Sequence, residues 1–155
     1  MGNLAAKREI DEVCKSFFSA FCNEKRKKPK LHLLKKLFIK DALIIRNSGS
    51  SPEISDVAGF IKPREKILSN GTLTNFKEHE LSERTDIFGN IAQRFSVYRK
   101  QGYHNGKFFV TKGIKTMQFV NTKSGWRVSS LAWDDEKEGL KIPWKLAANG
   151  NVLLA

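Results

Sequence analysis

Ile10, Val13, Cys14, Phe17, Phe18 and Phe21 recur at three- and four-residue intervals, a spacing that lines one side of a helix with apolar groups. Glu9, Asp11 and Glu12 lie early in this predicted helix and Lys25 to Lys28 follow its end, the charge order a helix dipole favours. After Pro29, the spacing of Leu31, Leu34 and Leu37 predicts a second, shorter helix, and Ala42–Arg46 (ALIIR) predicts a short first strand. The segment NSGSSPE reads as a loop. Ser55 is placed to cap a third helix carrying Val57, Ala58, Phe60 and Ile61, which Pro63 breaks or turns and Asn70-Gly71 closes.

From Phe76 to Trp133 the period changes to that of strands. Three turn signals separate four extended segments: NFKEHELSERTDIF, GNIAQRFSVYRKQGY, GKFFVTKGIKTMQFVNT and GWRVSSLAWDD. Their wealth of Phe, Val, Ile, Thr and Tyr predicts a meandering antiparallel sheet. Asn105-Gly106 predicts a tight hairpin, and Asn121 to Gly125 a looser one. The expected class is α+β, a cone-shaped roll of N-terminal helices packed on one face of a curved antiparallel sheet.

Helix, helix, strand, helix and meander, together with GNIAQRFSVY, GIKTMQFV and GWRVSSLAWDD, form an order that resembles the nuclear transport factor 2-like superfamily. Ketosteroid isomerase, scytalone dehydratase, polyketide cyclases and stand-alone bacterial proteins of unassigned role belong to it. The resemblance spans residues 8–137. It implies one domain over 1–137 with a C-terminal tail over 138–155, a cone whose open end admits a ligand, and dimerisation through the outer face of the sheet. Catalysts of the superfamily use an Asp or His base with Tyr, Asp or His as hydrogen-bond donors, and no residue of this chain maps onto that pattern.

Strand parity assigns faces. Met117 and Phe119 point one way and Ile114, Thr116, Gln118 and Val120 the other; Trp126 and Val128 share one side, Leu131 and Trp133 the opposite one. A second face without charge asks for a cover. A second copy of the chain is the simplest cover and the C-terminal tail the competing one, so Ile114, Thr116, Gln118, Val120, Leu131 and Trp133 are the expected homodimer interface.

Phe17, Phe21, Phe60, Phe76, Phe95, Met117 and Phe119 converge in this architecture as the expected walls of an apolar pocket for a small apolar or aromatic molecule. The competing expectation is that these rings pack solidly and leave no void. Glu78 and Glu80 share a side with Phe76. If Phe76 faces inward, two carboxylates enter the cup, where repulsion and lost water would raise the pKa of at least one of them and suit it to general base work. If Leu81 faces inward instead, His79 enters, and a bulge would shift the parity mid-strand. The plainer reading is a solvated edge strand. Arg84 and Arg94 are placed to neutralise these acids or to grip a ligand carboxylate, and His32 and His104 read as solvated. Two functions from different classes follow: a binding protein, or an isomerase, cyclase or dehydratase using Glu78, Glu80 or His79 as base.

Composition narrows the field. A chain of 155 residues, 40% hydrophobic and 28% charged, suits one folded domain rather than a disordered segment. No apolar run approaches the ~18 residues of a membrane span. MGNLAAKREIDE turns charged at once, unlike a secretory leader, and Ala6 stands where a myristoylation site needs Ser or Thr, so a cytoplasmic protein without a membrane partner is expected. Cys14 and Cys22, eight residues apart on one predicted helix, lie roughly 12 Å apart, too far to bridge, and read as small buried apolar groups. The net charge of +12 is partly local: eight basic residues stand against one acid between Glu24 and Lys40. No aromatic residue interrupts Lys25 to Lys30, so this stretch is expected to attract phosphates weakly and without sequence preference, not to be a specific nucleic-acid site. An interaction module docking an acidic partner there is a third reading. Asp134-Asp135-Glu136 reads as acids ending a strand rather than a metal site, and Gly49, Gly59 and Gly71 lack phosphate-loop spacing. No metal or cofactor is expected.

Overall fold

The computed structural model describes residues 2–143. Helix α1 spans Gly2–Ser19 and buries Ile10, Val13, Cys14, Phe17 and Phe18. A 3-10 turn, Leu31–Lys36, stands where a short second helix was expected. Its three-residue repeat buries Leu31 and Leu34 together, because residues three apart eclipse in that geometry. Strand β1 runs Phe38–Arg46, starting earlier than the ALIIR motif, and β2 is the short Glu53–Ser55.

Helix α2 spans Val57–Ser69. Its cap is Asp56, whose carboxylate accepts the Gly59 N–H at 2.7 Å, and not Ser55, which ends β2 and reaches the Ile44 carbonyl at 3.4 Å. Pro63 lies inside α2 without ending it, forgoing the N–H that would have met the Gly59 carbonyl. The long strands are β3 (Leu73–Phe88), β4 (Ile91–His104), β5 (Lys107–Thr122) and β6 (Gly125–Asp135). Asn105 and Gly106 both take positive φ in the β4–β5 hairpin, the backbone a two-residue mirror-image turn requires.

The sheet order is β2-β1-β6-β5-β4-β3, antiparallel throughout except where β1 runs parallel to β6, so the curved, unclosed sheet is mixed. Both helices pack against it, α1 on β3 and β6, α2 on β1 and β3. Asn23 joins their ends: its amide donates to the Leu68 and Leu73 carbonyls at 3.0 and 2.7 Å, and its oxygen accepts the Phe76 N–H at 2.7 Å.

Of the register slips in the sheet, two bear most on which side chains of the expected site face the helices. Between β5 and β6 the pairing jumps from Gln118–Ser130 to Phe119–Val128, leaving Ser129 unpaired. This bulge restores parity, so Trp126, Val128, Leu131 and Trp133 are all buried on the helix-covered face. Leu131 and Trp133 are therefore not on the outer face with Ile114, Thr116, Gln118 and Val120, as uninterrupted alternation had implied. In β3 a slip at Leu81 puts Glu78 and Glu80 before it, and Glu83 and Thr85 after it, on one side.

That side carries the ion cluster that fixes α1. Arg94, with a side chain only 3% exposed, meets Glu80 through Nε at 3.1 Å and through Nη2, Asp11 of α1 at 2.6 Å, and Thr85 at 3.0 Å. Lys7 bridges Asp11 and Glu83 at 2.6 and 2.7 Å. Burial works against the charges on Asp11 and Glu83, but their cationic hydrogen-bond partners outweigh it and hold both carboxyls below the ordinary range.

Candidate functional site

Between the end of α1, α2 and the sheet lies a cavity of about 630 Å³. Phe17 and Phe21, one turn apart at the end of α1, and Phe60 on α2 start its aromatic wall. The ring centroids run edge-to-face from Phe17 to Phe21 (5.3 Å), from Phe21 to Phe60 (5.9 Å) and from Phe60 to Trp133 (5.9 Å). Phe76 on β3 and Phe109 on β5 close the far side at 6.4 Å from one another. The rings thus touch along the walls and still enclose an open volume. His104, Lys107 and Phe108, all exposed at the β4–β5 hairpin, form the mouth.

Polar groups collect on the sheet floor. Lys115 shares the inward side of β5 with Met117 and Phe119, and its side chain is 5% exposed. Its Nζ lies 2.5 Å from Oε1 of Glu78, itself 7% exposed, and 3.6 Å from the Tyr98 ring centroid. The approach to Oε1 is off the hydrogen-bond axis, so that oxygen has no aligned donor and the contact acts through charge. Burial pulls the Lys115 pKa below the ordinary lysine value against the opposing charge of Glu78. Tyr98 lies across Gly113 and donates to the carboxylate of Asp135, which also pairs with Lys100 at 3.0 Å. A Cβ at position 113 would sit 2.1 Å from the Tyr98 hydroxyl, which is why this strand position is glycine. Burial and the Asp135 bond push the Tyr98 pKa well up, leaving a neutral phenol.

Arg64, one turn after Phe60 on α2, stacks 3.9 Å from the Phe60 ring centroid and 5.5 Å from that of Trp133, and donates to the Phe60 carbonyl at 3.1 Å. Burial, aided by the like charge of Arg46, lowers its pKa to about 10.

The expected site residues divide accordingly. Phe17, Phe21, Phe60 and Phe76 line the cavity; Met117 and Phe119 face the same way but are core beneath α1. Phe95 does not reach the cavity: it alternates with inward Arg94 and Ser96, and so lies on the outer face. Glu78 borders the cavity, whereas Glu80 is held under α1 by Arg94 and Ser96. Both glutamates also border, with His79, a recess of about 490 Å³ beside α1, but each is paired to its own cation. His79 is exposed on the opposite side of β3. Lys115, Arg64 and Lys100 are cavity residues the strand and helix patterns had not singled out, and Trp133, expected at the homodimer interface, lines the cavity instead.

On the outer face, Ile114, Thr116 and Phe95 border a second recess of about 360 Å³ with Leu140, Ile142 and Pro143. The remainder of the expected tail, 144–155, lies outside the described residues. Asp134 pairs with Lys137, Asp135 with Lys100 and Tyr98, and Glu136 accepts the Ile142 N–H, so the three acids ending β6 have separate partners. Among the described residues no helix is long and apolar enough to cross a membrane.

No family model and no curated protein matches the sequence. Solved structures do. A nuclear transport factor 2-like superfamily protein from Salmonella enterica serovar Typhimurium is 15% identical at a TM-score of 0.72, over 87% of this chain and 94% of that one. A cystatin-like fold protein from Caulobacter vibrioides is 11% identical at 0.68, over 87% and 92%. A candidate scytalone dehydratase from Novosphingobium aromaticivorans is 14% identical at 0.70, over 87% of both chains. At such identities the likeness establishes the fold, a nuclear transport factor 2-like α+β cone, and assigns no chemistry.

Proposed function

We propose that this chain uses its cone to bind a small, flat, largely apolar molecule. The observation that carries the reading is the cavity of about 630 Å³, a size suited to a small organic ligand, with aromatic walls and polar groups gathered on its floor. Burying a planar ligand against Phe21, Phe60, Phe76 and Trp133 removes apolar area on both sides from water. The two free cysteines, Cys14 and Cys22, accord with a cytoplasmic setting for this role. Titration with Nile red, a neutral planar dye, tests it. Saturable, blue-shifted emission is expected, and Thr111→Trp, which fills the cavity from a half-buried position on β5, should abolish it without lowering stability. No saturable signal, or an equal signal from the variant, would refute the reading.

A second reading, an isomerase, cyclase or dehydratase, is favoured by one feature. Glu78 borders the cavity with an oxygen that lacks an aligned donor, beside the Lys115 ammonium. Glu78 would take a proton from carbon next to a ligand carbonyl while Lys115 stabilises the oxyanion. Deuterium exchange into 2-tetralone, followed by NMR, should be faster with the wild type than with Glu78→Gln; equal rates would remove this reading.

A further inference from the structure

Among the described residues, one cation in the cavity wall is drawn out of water without a carboxylate partner, whereas Lys107, also unpaired, is exposed to solvent at the mouth. Arg46 pairs with Glu53 at 3.3 Å, Lys100 with Asp135 at 3.0 Å and Lys115 with Glu78 at 2.5 Å. Arg64 has no carboxylate within ion-pair distance among the described residues; Glu78 and Glu53 act on it only from farther off. Its guanidinium carries five N–H donors, of which one is committed, to the Phe60 carbonyl. Its central carbon lies over the Phe60 ring and within 5.5 Å of the Trp133 ring centroid, in the wall of the cavity. Arg64 is half-buried, so water meets part of the group, and a bound acceptor of opposite charge would supply what its burial removes.

We infer that Arg64 is the anion-recognition residue of the cavity and that the ligand is a planar carboxylic acid, its carboxylate on Arg64 and its apolar body against the aromatic wall. The inference deepens the binding role proposed above and rests on it. A carboxylate matches the geometry on two counts. It accepts two parallel N–H bonds along one edge of a guanidinium, and its single charge equals that of Arg64. A phosphate dianion would bring one charge more than Arg64 balances. The contact with the Phe60 ring and the bond to the Phe60 carbonyl restrain the group before the ligand arrives, which limits the ordering cost of binding.

Calorimetric titration with 2-naphthoate and its neutral isostere 2-naphthamide tests the assignment. Wild-type protein should bind the carboxylate at least roughly tenfold more tightly, the margin expected for hydrogen bonds between charged partners. Arg64→Met, which keeps the stem length and the apolar contact, should lose the preference and bind both compounds equally. Arg64→Lys, which keeps the charge and loses the fork, should retain only part of the preference. Equal binding of the two compounds by the wild type would overturn the inference and leave the cavity reading standing, and this comparison needs no variant to fold. A preference that survives in Arg64→Met would overturn the role of Arg64. Binding of neither compound would overturn both the cavity reading and the inference.

Discussion

Glu78→Gln removes one charge from the cavity floor and changes almost no volume, which isolates the electrostatic role of the buried pair. In the wild type the Lys115 ammonium is matched by Glu78 at 2.5 Å, with side chains 5% and 7% exposed. Breaking such a pair from one side typically costs about 3–5 kcal/mol, because the remaining charge keeps its desolvation penalty. Two features pull the value here to the lower end. The Tyr98 ring still faces Lys115 at 3.6 Å, and the amine can shed its proton, since burial already draws its pKa down. We expect a loss of about 3 kcal/mol near neutral pH, or a fall in Tm of roughly 6–12 °C for a chain of this length. The pH dependence carries a sign. With the folded pKa of Lys115 lowered further below 10.5, the unfolded chain holds more protons, so stability rises as pH increases between the two values. The deficit of the variant, measured by urea denaturation, should therefore shrink as pH rises from neutrality toward the ordinary lysine pKa. Glu78→Gln combined with Lys115→Met should recover most of the loss, because no charge is then left buried. A single variant within about 0.5 kcal/mol of wild type, or a deficit constant with pH, would refute the argument.

Arg94→Leu should cost about 3 kcal/mol near neutrality, the half-exposed Asp11 being partly screened. Its deficit should shrink on acidification: in the wild type the stability tied to Asp11 and Glu83 is lost as pH falls through their lowered pKa values, whereas in the variant protonation relieves repulsion. A deficit that does not change with pH in denaturation experiments would contradict this. Gly113→Ala places a Cβ 2.1 Å from the Tyr98 hydroxyl and 2.5 Å from the Asp134 carbonyl, so Tyr98 must leave Asp135; a loss of about 3 kcal/mol is expected, and wild-type stability would show that Tyr98 does not lie across Gly113. On the outer face, we propose a homodimer over Ile114, Thr116, Gln118 and Val120. Gln118→Lys should then weaken association in sedimentation experiments by placing like charges near the twofold axis, and a wild-type monomer at micromolar concentrations would exclude it.

Periodicity alone marked the first helix and the four long strands of this chain, but not the short β2 or the 3-10 character of Leu31–Lys36. The apolar stripe from Ile10 to Phe18 marks α1, and the four segments between Phe76 and Trp133, with Asn105-Gly106 between two of them, mark the meander, because these signals are local and each strand or helix repeats them many times. The expectation that Phe76 brings Glu78 with it rests on the same alternation. Lys115 and Arg94 were legible in the same way, as charges standing on the inward parity of Met117 and Phe119 in β5 and of Ala92 and Tyr98 in β4. What alternation cannot carry is a slip. One unpaired residue, Ser129, moves Leu131 and Trp133 from the expected outer face to the core and the cavity wall, and the slip at Leu81 brings Glu83 beside Glu80. Partners across the fold are likewise decided only in three dimensions. Glu80 lies 14 residues before Arg94 and Asp11 lies 83 before it, and no local pattern shows that they meet, or that Glu78 goes instead to Lys115. Arg64 shows the division most clearly. Its spacing from Phe60 places the two on one helix face, but that its charge is left without a carboxylate depends on every acid the sheet brings near, which only the packed structure fixes.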